Sequence, residues 1–148
     1  MLDETGDYPV LLKTLLATWK IRLPSLDGCP TQQGVYAIWL DDGQGLCLKV
    51  GKAGPRSGDG LRGRLHLHCM SHVGNSILAL HMESDMGLAR SQGFDLRSRA
   101  DRKRFLADYC YAKAIQLPSF SEARLLDFER FVADMLHPRY RGRTGQYE

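Results

Sequence analysis

The 148-residue sequence has no apolar run approaching the roughly 18 residues that a membrane helix needs, so no membrane partner is expected. Its first residues, MLDETGDYP, are acidic and lack a basic stretch ahead of an apolar core, so no signal peptide is expected. The four cysteines, Cys29, Cys47, Cys69 and Cys110, are scattered with no CxxC pair. That speaks for free thiols in a cytoplasmic protein rather than a disulfide framework. The glycine-rich stretch 51–60 lacks the G-x-x-x-x-G-K-[ST] pattern, so it reads as a connector and not as a nucleotide-phosphate cradle; no small-molecule cofactor is expected. No internal repeat and no linker marks a second domain. Charge of neither sign dominates: 20 Lys and Arg stand against 17 Asp and Glu. The net charge of +3 permits an anionic partner without requiring one.

What is present is ordinary globular material, 43% apolar and 25% charged, enough to bury one core. Residues 8–20, YPVLLKTLLATWK, read as a short helix with Val10, Leu11, Leu15, Ala17 and Trp19 as its apolar positions. Pro24, Gly28 and Pro30 then make an irregular connector. Val35–Leu40 and Leu46–Val50 are apolar runs separated by Asp, Asp, Gly, Gln and Gly, which predicts an antiparallel hairpin. Alternation puts Val35, Ala37 and Trp39 on one face and Tyr36, Ile38 and Leu40 on the other. On the second strand it sets Cys47 and Lys49 against Leu46, Leu48 and Val50.

From about Leu61 a helix is expected. Arg64, His68 and His72 then lie one turn apart beside its apolar stripe, with Arg62 and His66 on the outer side. Residues 73–97 read as loop with one short element, 98–109 as a helix capped by Ser98, and 110–117 as a third strand. The helix 98–109 carries a basic face of Arg99, Arg102, Lys103 and Arg104. The last helix follows Pro118, with Ser119 and Glu122 at capping-box spacing, and stops near His137 before Pro138. Its Glu129 falls inside the apolar stripe of Leu125, Phe128, Val132, Met135 and Leu136, where a carboxylate needs a cation or hydrogen-bond partners. The tail 142–148 reads as loose.

These residues resemble the GIY-YIG nuclease superfamily. Gly34-Val35-Tyr36 matches its first tripeptide, and Lys49-Val50-Gly51 stands as a K-V-G variant of its second. Arg64 and His68 look like its arginine and following histidine, and Glu129 like its metal-binding glutamate. The resemblance covers about 34–141. It implies an α+β fold with a small three-stranded antiparallel sheet flanked by helices. It further implies hydrolysis of a DNA phosphodiester with Mg²⁺ or Mn²⁺. Tyr36 would orient or deprotonate the attacking water, with Lys49 supplying charge or acting as a base. Arg64 would hold the non-bridging oxygens, His68 would assist proton transfer, and Glu129 would bind the metal. Arg56, Arg62, Arg102 and Arg104 are the candidate DNA-backbone contacts.

Two other readings stay open. Lys49 and the presence of Arg141 where members carry an asparagine fit a non-catalytic nucleic-acid-binding module. The cluster His66, His68, Cys69 and His72 raises zinc, although no companion pair at finger spacing appears.

Overall fold

In the computed structural model, which describes residues 7–88, 90 and 93–141, the hairpin forms as its pattern demands. Strand β2 (Gly34–Leu40) pairs antiparallel with β3 (Cys47–Ala53) and, on its other side, with β4 (Cys110–Gln116). A two-residue strand, β1 (Ile21–Arg22), pairs with β4, so the sheet has four antiparallel strands in the order β1-β4-β2-β3. The expectation of three strands is corrected here. Two residues are too few to show alternation, and Ile21 is buried by its neighbours rather than marked by its own pattern.

Among the described residues five α-helices cover the two faces: α1 (Tyr8–Ala17), α2 (Gly60–Met70), α3 (Ile77–Glu83), α4 (Arg99–Tyr109) and α5 (Glu122–Leu136). The alternation in β2 decides which helix goes where. Tyr36, Ile38 and Leu40 pack with Leu61 and Leu65 of α2, Met82 of α3 and Phe105 of α4. Val35, Ala37 and Trp39 pack with Leu12 and Leu15 of α1 and with Leu125, Phe128 and Val132 of α5. All seven residues of β2 are buried, so both layers hang on this strand. Each fully buried aliphatic side chain adds about 1.5–3 kcal/mol.

Several local expectations change. Helix α1 stops at Ala17, which leaves Trp19 91% exposed, and Val10 and Met135 are also at the surface. The cap of α5 is Ser121, whose Oγ accepts the Arg124 N–H; Glu122 is the first helical residue, so the proposed Ser119 box does not form. Ser98 caps α4 as expected, accepting the Asp101 N–H. Helix α2 ends at Met70 with left-handed Ser71, so His72 lies beyond the helix and does not continue the row of Arg64 and His68. All four cysteines are buried and free. Among the described residues no helix is long and apolar enough to cross a membrane. The tail 142–148 lies outside the described residues.

The alternation expected in β3 is broken by a bulge. Ile38 faces Lys49 and Trp39 faces Cys47, so Leu48 is passed over. Leu48 packs with Ile38 and Tyr36, while Cys47 and Val50 pack on the opposite face. Lys49, directly across from Ile38, therefore shares the Tyr36 face, whereas simple alternation had set it against Leu48.

The chain beyond α5 returns to this bulge. The Arg139 and Tyr140 N–H groups donate to the carbonyls of Cys47 and Leu48. Asp85, buried in the loop after α3, bolts this strap in place. It accepts Arg139 Nε at 2.6 Å, Arg139 Nη2 at 3.0 Å and the Tyr140 hydroxyl at 2.7 Å. Burial works against the Asp85 charge, but the hydrogen bonds from Arg139 and Tyr140 outweigh it and hold its pKa below the ordinary carboxylate value. Replacing Asp85 with Ala should lower stability by about 2–3 kcal/mol in urea unfolding, because Arg139 and Tyr140 lose their shared acceptor. The stabilisation from a depressed carboxylate is complete above its unfolded pKa of about 3.9 and fades as pH falls through the lower folded value. The gap between wild type and Asp85→Ala should therefore be full at neutral pH and shrink in strong acid.

Candidate active site

The two tripeptide glycines are required by close approach. A Cβ on Gly34 would lie 2.0 Å from the Ile115 carbonyl oxygen of β4. A Cβ on Gly51 would lie 2.3 Å from Tyr36 Oη and 2.4 Å from its ring carbon Cζ. Tyr36 and Gly51 are direct cross-strand partners. The Tyr36 ring thus crosses β3 over a residue with no side chain and delivers its hydroxyl toward the open edge of the sheet.

At that edge lies a cleft of about 630 Å³. Its walls come from β3 (Lys49, Gly51), α2 (Arg64, His68), α5 (Glu129) and the strap (Tyr140). Helices from both faces of the sheet meet here because β3 is the outermost strand. The cleft brings together all five principal candidates: Tyr36, Lys49, Arg64, His68 and Glu129.

The innermost pair is Tyr36 and His68. Tyr36 Oη lies 2.6 Å from His68 Nε2, and the two side chains are almost wholly buried. His68 Nδ1 lies 2.7 Å from Ser76 Oγ. Ser76 caps α3, already accepting the Ala79 N–H. Its hydroxyl has both a further lone pair and a proton for Nδ1. With Nδ1–H donating to Ser76, bare Nε2 accepts the Tyr36 proton; in the opposite tautomer Nε2–H donates to Tyr36.

Electrostatics keep both members neutral. Burial raises the Tyr36 pKa, the Arg64 charge opposes the rise and the Glu129 charge adds to it. His68 is pushed down to about 3, first by burial and then by the positive charges of Lys49 and Arg64. A neutral phenol bonded to a neutral imidazole, flanked by two cations and a carboxylate, is equipped to handle a proton beside an anion.

Glu129 is half-buried on the α5 wall. Among the described residues no group of three or more His, Cys, Asp or Glu side chains converges on a point suited to a metal. A hard cation that keeps several waters and borrows substrate phosphate oxygens needs only one or two carboxylates, so this donor set fits Mg²⁺ or Mn²⁺. It does not supply the four protein ligands of a structural zinc centre.

The four arginines named as backbone contacts have separate fates. Arg56 is exposed on the loop 54–57, beside a second depression that borders the cleft. Arg62 donates to the Leu26 carbonyl at 2.8 Å and ties α2 to the connector. Arg102 is buried rather than on the solvated basic face expected of it. Its guanidinium donates to the carbonyls of Leu96, Arg97 and Ser71, joining α4 to the end of α2. Arg104 is exposed, 3.6 Å from Asp101 and over the Phe94 ring.

Ser76 and Tyr140 escaped sequence reasoning. So did Asn75, which lines the cleft beside Ser76 at the start of α3. Ser76 ahead of an apolar run is a capping signal that could have located α3. Nothing local marks Tyr140, which is placed by Asp85.

Comparison with family models, with curated proteins and with solved structures gives no match. The functional reading therefore rests on the cleft itself. Gly51→Ala should cost about 1–3 kcal/mol in the wild-type background, as overpacking does, and much less in a Tyr36→Ala background. A double-mutant cycle by urea unfolding measures that coupling.

Proposed function

We propose that the chain is a metal-dependent endonuclease of the GIY-YIG type that hydrolyses DNA phosphodiester bonds. The observation that carries this reading is the Tyr36–His68 pair, buried at the base of a cleft whose rim holds Lys49, Arg64 and Glu129. Hydrolysis of a phosphodiester needs an oriented nucleophile, a proton acceptor and cations for the growing negative charge.

The residues divide those tasks. Lys49 and Arg64 hold the anionic non-bridging oxygens, with the Arg64 fork suited to two contacts at once. A water placed against Tyr36 Oη attacks phosphorus. As its O–P bond forms, the water proton passes to Oη while Tyr36 gives its own proton to His68 Nε2, and the bond to the leaving oxygen breaks. The leaving oxygen takes a proton from solvent. Arrival of the phosphate raises the basicity of His68. In the free cleft burial, and then Lys49 and Arg64, hold it neutral, and an anion between the two cations offsets their share. A divalent cation held by Glu129 would supply Lewis-acid stabilisation of the leaving oxygen.

The test is cleavage of plasmid, single-stranded and branched DNA in Mg²⁺ or Mn²⁺. Glu129→Ala and Arg64→Ala should each lower kcat by about 100-fold or more, with the wild-type fold retained by circular dichroism. Equal turnover by all three proteins would trace the activity to a contaminant and end the assignment. Salt-dependent DNA binding without turnover would favour the non-catalytic binding module, the reading that Lys49 in the second tripeptide motivates.

A further inference from the structure

A second depression, of about 560 Å³, borders the cleft. The two share Lys52, Arg64 and Leu126 in their walls, so they run together around the end of the sheet. One side of the second depression is the loop 54–57, which carries Arg56. The other is the first turn of α5, with Glu122, Ala123 and Leu125. Three cations, Lys52, Arg56 and Arg64, face a single carboxylate, Glu122. That carboxylate is already favoured where it stands, at the positive end of a helix.

Apolar groups share these walls. Pro55, Ala123, Leu125 and Leu126 line the groove together with its cations, and Val50, Ile77 and Ala133 line the cleft. The groove thus offers both cationic and apolar surface. A duplex offers a protein its phosphates and the polar edges of its grooves, and keeps the faces of its bases stacked inside. Apolar walls recessed beside a phosphate station would be left uncovered by it. An unpaired strand offers both phosphates and free base or sugar faces, which suits a lining of cations and apolar groups.

Resting on the phosphodiester reading of the cleft, we infer that the second groove receives the nucleotide next to the scissile phosphate of an unpaired strand. Its phosphate is held by Arg56 and Lys52, and its base or sugar lies against Pro55 and Leu126. The substrate class is then single-stranded DNA, or the unpaired arm of a branched one, rather than an uninterrupted duplex.

The experiment is fluorescence anisotropy with a short labelled single strand and a blunt duplex of the same sequence. It is run in EDTA so that no turnover is needed, over a series of salt concentrations. The single strand should bind at least about tenfold more tightly than the duplex. Arg56→Ala should weaken single-strand binding about tenfold and flatten its salt dependence by about 0.7 in log–log slope, one phosphate's worth, while Arg56→Lys keeps the slope. Unchanged thermal melting separates this from misfolding. Equal or tighter duplex binding, or an unaltered slope in Arg56→Ala, overturns the inference. The nuclease reading is judged apart: binding as described with no Mg²⁺-dependent cleavage ends that reading alone, and cleavage with an unmoved Arg56→Ala slope ends the groove alone.

Discussion

The hydrogen bond between Tyr36 and His68, made across the bare backbone of Gly51, is the constraint around which the rest of the site is arranged. Tyr36 sits on a strand buried on both faces, so its position is set by two layers of packing at once. Its ring reaches the sheet edge only because its cross-strand partner has no side chain. His68 is met at the end of that reach by a helix whose apolar stripe, Leu61 and Leu65, packs in the same cluster as Tyr36. Ser76 completes the row by using one hydroxyl both to cap α3 and to fix the far side of the imidazole. Packing, capping and site geometry are therefore one arrangement rather than a scaffold with chemistry added to it.

The charges follow from the same placement. Lys49 shares the Tyr36 face as the direct partner of Ile38, two residues from the Tyr36 partner Gly51, and Arg64 stands one helical turn before His68. Burial, and then the two cations beside it, depress the basicity of the imidazole. In the proposed reaction, an anion between the cations offsets their share of that depression. The strap bolted by Asp85 matters because it holds the bulged residues Cys47 and Leu48 immediately before Lys49.

Much of this was legible in residue order, for identifiable reasons. The hairpin showed because an unbroken apolar run in β2 and a largely apolar one in β3 flank a turn, and α2 and α5 showed because Leu61, Leu65, Leu125, Phe128 and Val132 keep helical spacing. Glu129 stood out as a charge in an apolar stripe. What stayed hidden depended on partners distant in the chain. Strand β1 exists only through β4, and the bulge only through the register with β2. Arg102 looked like one more surface cation because nothing near it announces the carbonyls of Leu96 and Ser71 that receive it. Asp85 and Tyr140, 55 residues apart, are joined only in three dimensions. Ser119 and Ser121 both precede a helical run at plausible spacing, and the geometry of the turn chose the second.

The central claim is that His68 is a neutral acceptor whose basicity is raised by a phosphate. Its direct measurement is the protonation midpoint of His68, followed by ¹⁵N-resolved NMR across acid pH in the free protein and with a short DNA strand in EDTA. The account gives a midpoint of about 3 in the free protein and a clear rise when the strand is bound. A midpoint close to the unperturbed histidine value of about 6.5 in the free protein, or one that DNA leaves unmoved, would contradict it.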